Sequence, residues 1–255
     1  MKIRQALLLL CVALGCSESQ EATRVQMPVE IDASELGAST SDLGWTVKLT
    51  TVRLAVTDIQ FTILGEMHEG GAAAWVPSWI LSRAWAHPSH DAGGDVTGEL
   101  PGSFVLDWSR HDGMSMGVAE MLTGDYNGMN FTLRIADAND RLADDDPLLG
   151  HTAHFAGTAT RGGITITFIA LLISNVQVVG APFGLLITDA TKDTIGIQVL
   201  PTDPVGGKSL FDGLDFAALD EDRDGMVAIV PGDEAHNTFR RSLQSHVHYD
   251  AVQRE

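Results

Sequence analysis

The sequence predicts an all-β fold: an antiparallel immunoglobulin-like β-sandwich with long loops and one or two short helices. Three observations carry that prediction. Runs such as Val25, Met27, Val29 and Ile31 place apolar residues at every second position, the period of a strand with one buried face. Glycine is abundant, at 26 residues, while sustained heptads are absent. Clusters of Gly, Pro, Asn and Asp separate the runs and supply the backbone angles that turns require.

Before the first run comes a segment of a different kind. Met1-Lys2-Ile3-Arg4 is basic, and the apolar stretch Ala6–Leu14 follows it. A stretch of about ten apolar residues is too short to span a bilayer but suits a signal-peptide core. It ends at Ala13-Leu14-Gly15-Cys16, which resembles a bacterial lipobox. Residues 1–15 therefore read as a lipoprotein signal peptide, with Cys16 the lipidated first residue of an exported, membrane-anchored chain. Ser17 in place of Asp after Cys16 resembles outer-membrane lipoproteins, held on the periplasmic side or at the cell surface. Residues 16–44 then contain the anchor, a polar tether and a possible first strand, and residues 45–255 form a single β-sandwich domain.

From Trp45 the alternation resumes through Val47, Leu49, Val52, Leu54, Val56, Ile59, Phe61 and Ile63. Its phase slips at Thr50-Thr51 and Thr57-Asp58, as expected for bulges or bends in a long hairpin. Residues 65–102 show no period, and so long an irregular stretch is usually a functional loop or a disordered one. Strand-like runs follow at Ser103–Trp108, Met129–Ala136, Thr152–Thr160, Ile164–Ser174, Val176–Ile187 and Thr194–Leu200. Polar residues interrupt Ile164–Ile187 and Gly180-Ala181-Pro182 breaks it, so it reads as a buried strand pair, not a membrane span. Ala235, Phe239 and Leu243 fall at helical spacing behind Pro231-Gly232-Asp233, a helix-start signal.

Charge narrows the function. Lys and Arg total 16 against 34 Asp and Glu, for a net charge of −18, and removal of residues 1–15 takes this to −20. Such a surface offers nothing to a phosphate backbone, which excludes nucleic acid as a partner. Once Cys11 is cleaved away and Cys16 is lipidated, no thiol remains. Any metal site must then use nitrogen and oxygen ligands.

Nine histidines supply candidates. In His87-Pro88-Ser89-His90-Asp91, two imidazoles and a carboxylate lie within five residues around a proline turn, a set suited to copper or zinc. His246-Val247-His248 would chelate if it lay on a strand, where residues i and i+2 share a face. His151 and His154 form a third pair, although a strand would point them to opposite faces. His68 is a further candidate ligand, while His111 and His236 read as surface residues. A separate constellation, Asp220-Glu221-Asp222-Arg223-Asp224-Gly225, matches the D-x-D-x-D-G half of a calcium loop. Asp220, Asp222 and Asp224 are its candidate ligands, and Val227 takes the position of the apolar contact residue. The twelfth position is Pro231 where such loops carry a bidentate Glu, and no helix–loop–helix frame surrounds it. Asp144-Asp145-Asp146-Pro147 reads as a turn. Signatures of nucleophilic, P-loop and zincin catalysis are missing, so the chain is not expected to be an enzyme.

Several short motifs recur in an order that resembles a known group. These are Val56-Thr57-Asp58 within Val52–Ile63, Thr123-Gly124-Asp125-Tyr126 before Asn130-Phe131-Thr132-Leu133, Asn139, Asp146-Pro147-Leu148, Leu210-Phe211-Asp212-Gly213 and Asn237. Together they resemble the exported copper-binding proteins associated with methanobactin operons, the MbnP-like group, across most of residues 45–248. The resemblance implies an immunoglobulin-like domain that binds copper and, in some members, a tryptophan oxidised by a di-haem redox partner. The segment Gly150-His151-Thr152-Ala153-His154-Phe155 departs from the group because it contains no tryptophan. Two functions are therefore expected to compete. The favoured one is a lipid-anchored extracytoplasmic metal-binding protein that holds copper, or zinc, through histidines. The alternative is a β-sandwich interaction module with a structural calcium loop, using Trp75, Trp79 and Trp85 of the irregular stretch as its contact surface.

Overall fold

Met27, Val29 and Ile31, the apolar half of the first alternation, lie on β1 (Arg24–Ile31) and are at most 1% exposed. The computed structural model describes residues 23–63 and 94–254. The signal segment with Cys16, and the stretch holding His68, Trp75, Trp79, Trp85, His87 and His90, lie outside the described residues. Twelve strands follow one another in the described chain. After β1 come the short β2 (Ser39–Thr40), β3 (Thr46–Ile63), β4 (Asp95–Asp107), β5 (Ser115–Leu122) and β6 (Gly124–Leu133). Then come β7 (Ala153–Arg161), β8 (Ile164–Leu172), β9 (Gln177–Ile187) and β10 (Thr194–Val199). The chain ends with α1 (Phe216–Leu219), β11 (Met226–Ile229), α2 (Glu234–Leu243) and β12 (Tyr249–Arg254). The all-β class with short helices is as expected.

β3 organises the molecule. At 18 residues it is long enough to serve four neighbours, with β4 and the short β2 along one edge. The other edge is divided between β7, opposite Thr46–Leu54, and β6, opposite Val56–Ile63. Both phase slips in its sequence are bulges within this one strand: the register to β7 shifts between Leu49 and Thr51, and that to β4 between Thr57 and Ile59. At the second bulge Asp58 takes φ 54°, a left-handed conformation that a short polar side chain tolerates.

Hydrogen bonding runs from β3 through β4, β5, β1, β10, β12, β9 and β6 and returns to β3, which closes the sheet on itself. The joints are narrow, with two residue pairs between β4 and β5 and one between β9 and β12. The pairing is mixed: β1–β10, β11–β8 and β12–β9 are parallel, where a wholly antiparallel arrangement was expected. β1 lies inside the sheet between β5 and β10, so the possible first strand ahead of residue 45 is part of the same sheet.

The core fills this closed sheet and continues beneath its extension β7–β8–β11. Phe131 meets Tyr249 across the closed part, with ring centroids 4.8 Å apart, and Trp108 Nε1 donates to the Ile197 carbonyl at 2.8 Å. Under the extension, Trp45, Phe216, Phe168, Phe211, Phe239 and Phe155 form a continuous aromatic chain with centroid spacings of 5.1–5.8 Å. Edge-on and tilted packing of this kind favours the ring quadrupoles. α2 contributes through Ala235, Phe239 and Leu243, all buried, as the helical spacing required.

Candidate metal centre

Among the described residues, the two histidine pairs do not converge. His246–His248 is a single 3-10 turn leading into β12, and not a strand. With three residues per turn, positions i and i+2 point well apart, which removes the shared face a chelating pair needs. His246 is exposed, while His248 is buried with its Nδ1 3.0 Å from the Leu200 carbonyl. That carbonyl can only accept, so Nδ1 carries the proton. Burial holds the His248 imidazole below its ordinary pKa by penalising the charged form.

His151 sits in the turn before β7, and its Nδ1 donates to the Pro147 carbonyl at 3.0 Å. His154 lies on β7 opposite Arg53, with a buried Nδ1 that has no partner. Burial, and next the Arg53 charge, push the His154 pKa down. His236, expected on the surface, is 5% exposed at the start of α2. Its Nε2 accepts the Ile173 amide proton at 3.2 Å, capping the end of β8. That bond occupies the Nε2 lone pair, so Nδ1 carries the proton. Beside His154, Arg53 grips Asp146 with both terminal nitrogens, at 2.7 and 2.9 Å, and its Nε lies 3.6 Å from Asp107. The Asp144–Pro147 segment does form the expected turn, but its last carboxylate is spent on this ion pair.

Among the described residues, one group of three potential ligands comes together. Oxygens of Asp220, Asp222 and Asp224 lie within 4.8 Å of one another. Ligands about 2.4 Å from a common cation can be at most about 4.8 Å apart, so this spacing suits a hard divalent ion. The loop connects α1 to β11. Asp220 caps α1 through its amide, which donates to the Phe216 carbonyl at 3.1 Å, and its Oδ2 accepts from Gly225 N–H at 3.1 Å. Asp222 Oδ1 accepts from the Asp224 amide at 3.4 Å, and Asp224 Oδ1 from the Met226 amide at 2.8 Å. Alternate residues thus turn their carboxylates toward one point because the backbone coils around them. Gly225 permits the turn with φ 81°. Asp220 is 9% exposed, and its Oδ1 is buried without a hydrogen-bond partner among the described residues. Val227 is buried as the loop pattern required, and an open groove runs beside the loop between Ile164–Ile166 and Ala217–Gly225. The four-residue α1 and the strand β11 flank the loop, in keeping with the missing helix–loop–helix frame.

Among the described residues, no helix is long and apolar enough to cross a membrane. No family model, no curated protein and no solved structure matches this chain.

Proposed function

We propose that the chain is an exported, lipid-anchored β-sheet module that binds a hard divalent cation in the Asp220–Gly225 loop. One observation carries this reading: three carboxylates of a D-x-D-x-D-G run lie within 4.8 Å of one another, and one of their oxygens is buried and unpartnered. Carboxylate oxygen is the donor of choice for calcium and a poor one for copper, which ranks the calcium reading above the histidine one for the described residues. The module is non-enzymatic in this reading, and its lipid at Cys16 holds it against a membrane. Equilibrium dialysis of the full chain against calcium tests the proposal. One bound equivalent supports it, and none at millimolar calcium overturns it.

A second reading keeps copper or zinc, and with copper the di-haem redox partner that the MbnP-like resemblance implies. Its support is the sequence His87-Pro88-Ser89-His90-Asp91. His87→Ala combined with His90→Ala is expected to abolish binding of one transition-metal ion while leaving the fold intact. Stoichiometric copper or zinc retained by that double variant would sink this assignment.

A further inference from the structure

We infer that calcium in the Asp220–Gly225 loop clasps β11 onto the sheet, so that the order of this outermost strand depends on the cation. The inference depends on the cation reading above and adds what the ion does. β11 ends the strand order, and among the described residues its only hydrogen-bonded neighbour is β8. It pairs over four residues, Met226–Ile229 against Thr167–Ala170. Val227 and Ile229 are its only buried side chains, at 6% and 1% exposure. A strand this short, with one free edge, sits at the low end of local stability.

The loop supplies the hydrogen bonds that start the strand. The Gly225 carbonyl accepts from the Thr167 amide at 2.9 Å, joining the loop to β8. The Gly225 amide donates to Asp220 Oδ2, and the Met226 amide donates to Asp224 Oδ1. Two of the three clustered carboxylates therefore hold the backbone at which β11 begins. Without a cation, three like charges at this spacing repel one another and work against those bonds. With a cation the same charges are drawn together. Asp220 Oδ1 adds a second observation to the spacing: a buried carboxylate oxygen without a donor is costly to leave unmatched, and a cation matches it.

Calcium fits the donor set better than magnesium. It accepts six to eight oxygens in irregular geometry, whereas magnesium demands a near-ideal octahedron and gives up its waters reluctantly. Pro231 takes the place of a bidentate Glu, so waters and backbone carbonyls must complete the shell. That places the affinity in the range of extracellular modules, with Kd about 10⁻⁴–10⁻³ M.

The test is amide hydrogen exchange of the full chain in detergent, stripped with chelator and then returned to about 10 mM calcium. If calcium binds only the closed loop, local opening falls by 1 + [Ca²⁺]/Kd, and the Met226–Ile229 amides slow by about 10- to 100-fold. The amides of β3 should not change. In the Asp222→Asn/Asp224→Asn variant, each amide oxygen can still accept its backbone bond while both charges are gone, and the calcium effect should vanish. Bound calcium without slower exchange in β11 overturns the clasp and leaves the cation site standing. Equal slowing in β3 and β11 also overturns it, because the ion would then act on global stability. No bound calcium overturns the site and the clasp together, and an undiminished effect in the double variant overturns the ligand assignment.

Discussion

Arg53 and Asp146, 93 positions apart, form a two-pronged ion pair in which both side chains are about 15% exposed. The pair fastens the 134–151 loop over β3. Beneath it, Leu148, Ala136 and Ala55 form a small apolar cluster separate from the main core. Arg53 holds the Asp146 carboxyl below the usual carboxylate range, chiefly by hydrogen bonding to its charged form. Asp146→Asn keeps an oxygen for the Leu148 amide but leaves the guanidinium without its main partner. It should cost about 2–4 kcal/mol in urea denaturation at neutral pH. Arg53→Lys should not restore the wild-type value, because an ammonium cannot fork. A loss below about 0.5 kcal/mol would show that the pair behaves as an ordinary surface bridge.

Gly157 is fixed by packing and not by its backbone angles. On β7 it stands opposite Leu49, beside the bulge at which Thr50 Oγ1 donates to the Ala156 carbonyl. A Cβ added at Gly157 would lie 2.1 Å from the Lys48 carbonyl oxygen, and that obstacle is backbone, which cannot swing aside. Gly157→Ala is therefore expected to open the β3–β7 pairing and to destabilise the chain by about 2–3 kcal/mol. Gly184→Ala, on β9 with nothing within 4 Å of the added carbon, is the matched control. Near-wild-type stability of Gly157→Ala would mean that the bulge relaxes more readily than this geometry allows.

Much of this fold could be read from strand periodicity, and the exceptions share a cause. β1, the bulged β3 and the run from β7 to β10 announced themselves because Met27, Leu54 and Phe155 alternate with outward-facing residues, and burial on one face imposes that period. β5, β11 and β12 did not, since Gly117, the brevity of Met226–Ile229 and the mixed Tyr249–Arg254 pattern dilute the signal. Parallel pairing of β1 with β10 joins residues about 166 apart, which no local pattern encodes. The carboxylate loop was legible because its three aspartates lie within five residues. His236 was not, because its role depends on Ile173 arriving from another strand. The strand reading of His246 and His248 failed at the end of α2, where the backbone takes a 3-10 turn before β12 starts.

Two buried histidines, His236 and His248, and the half-buried His154 give the stability a definite pH dependence. Burial lowers the pKa of His154, His236 and His248 from the ordinary 6.5, with the charges of Arg53 and Arg240 adding to the effect at the first two. In the unfolded chain these rings take up protons as pH falls through about 6.5, while in the fold they resist until lower pH. The unfolded state thus binds more protons across that window. The histidine contribution is complete above about pH 7 and is lost as pH falls toward the lowered folded values. Asp140 and Asp146 are shifted down as well, by hydrogen bonds from Arg134 and Arg53, so their contribution is lost only at pH below about 4. The urea midpoint should therefore drop between pH 7.5 and 5.5, well before the carboxylates titrate. His248→Gln, whose amide can still donate to the Leu200 carbonyl, should flatten that slope by about a third if the three rings contribute alike. A midpoint constant from pH 7.5 to 5.5 would mean that these imidazoles accept protons without leaving their places, contrary to the Ile173 amide bond that occupies the Nε2 lone pair of His236.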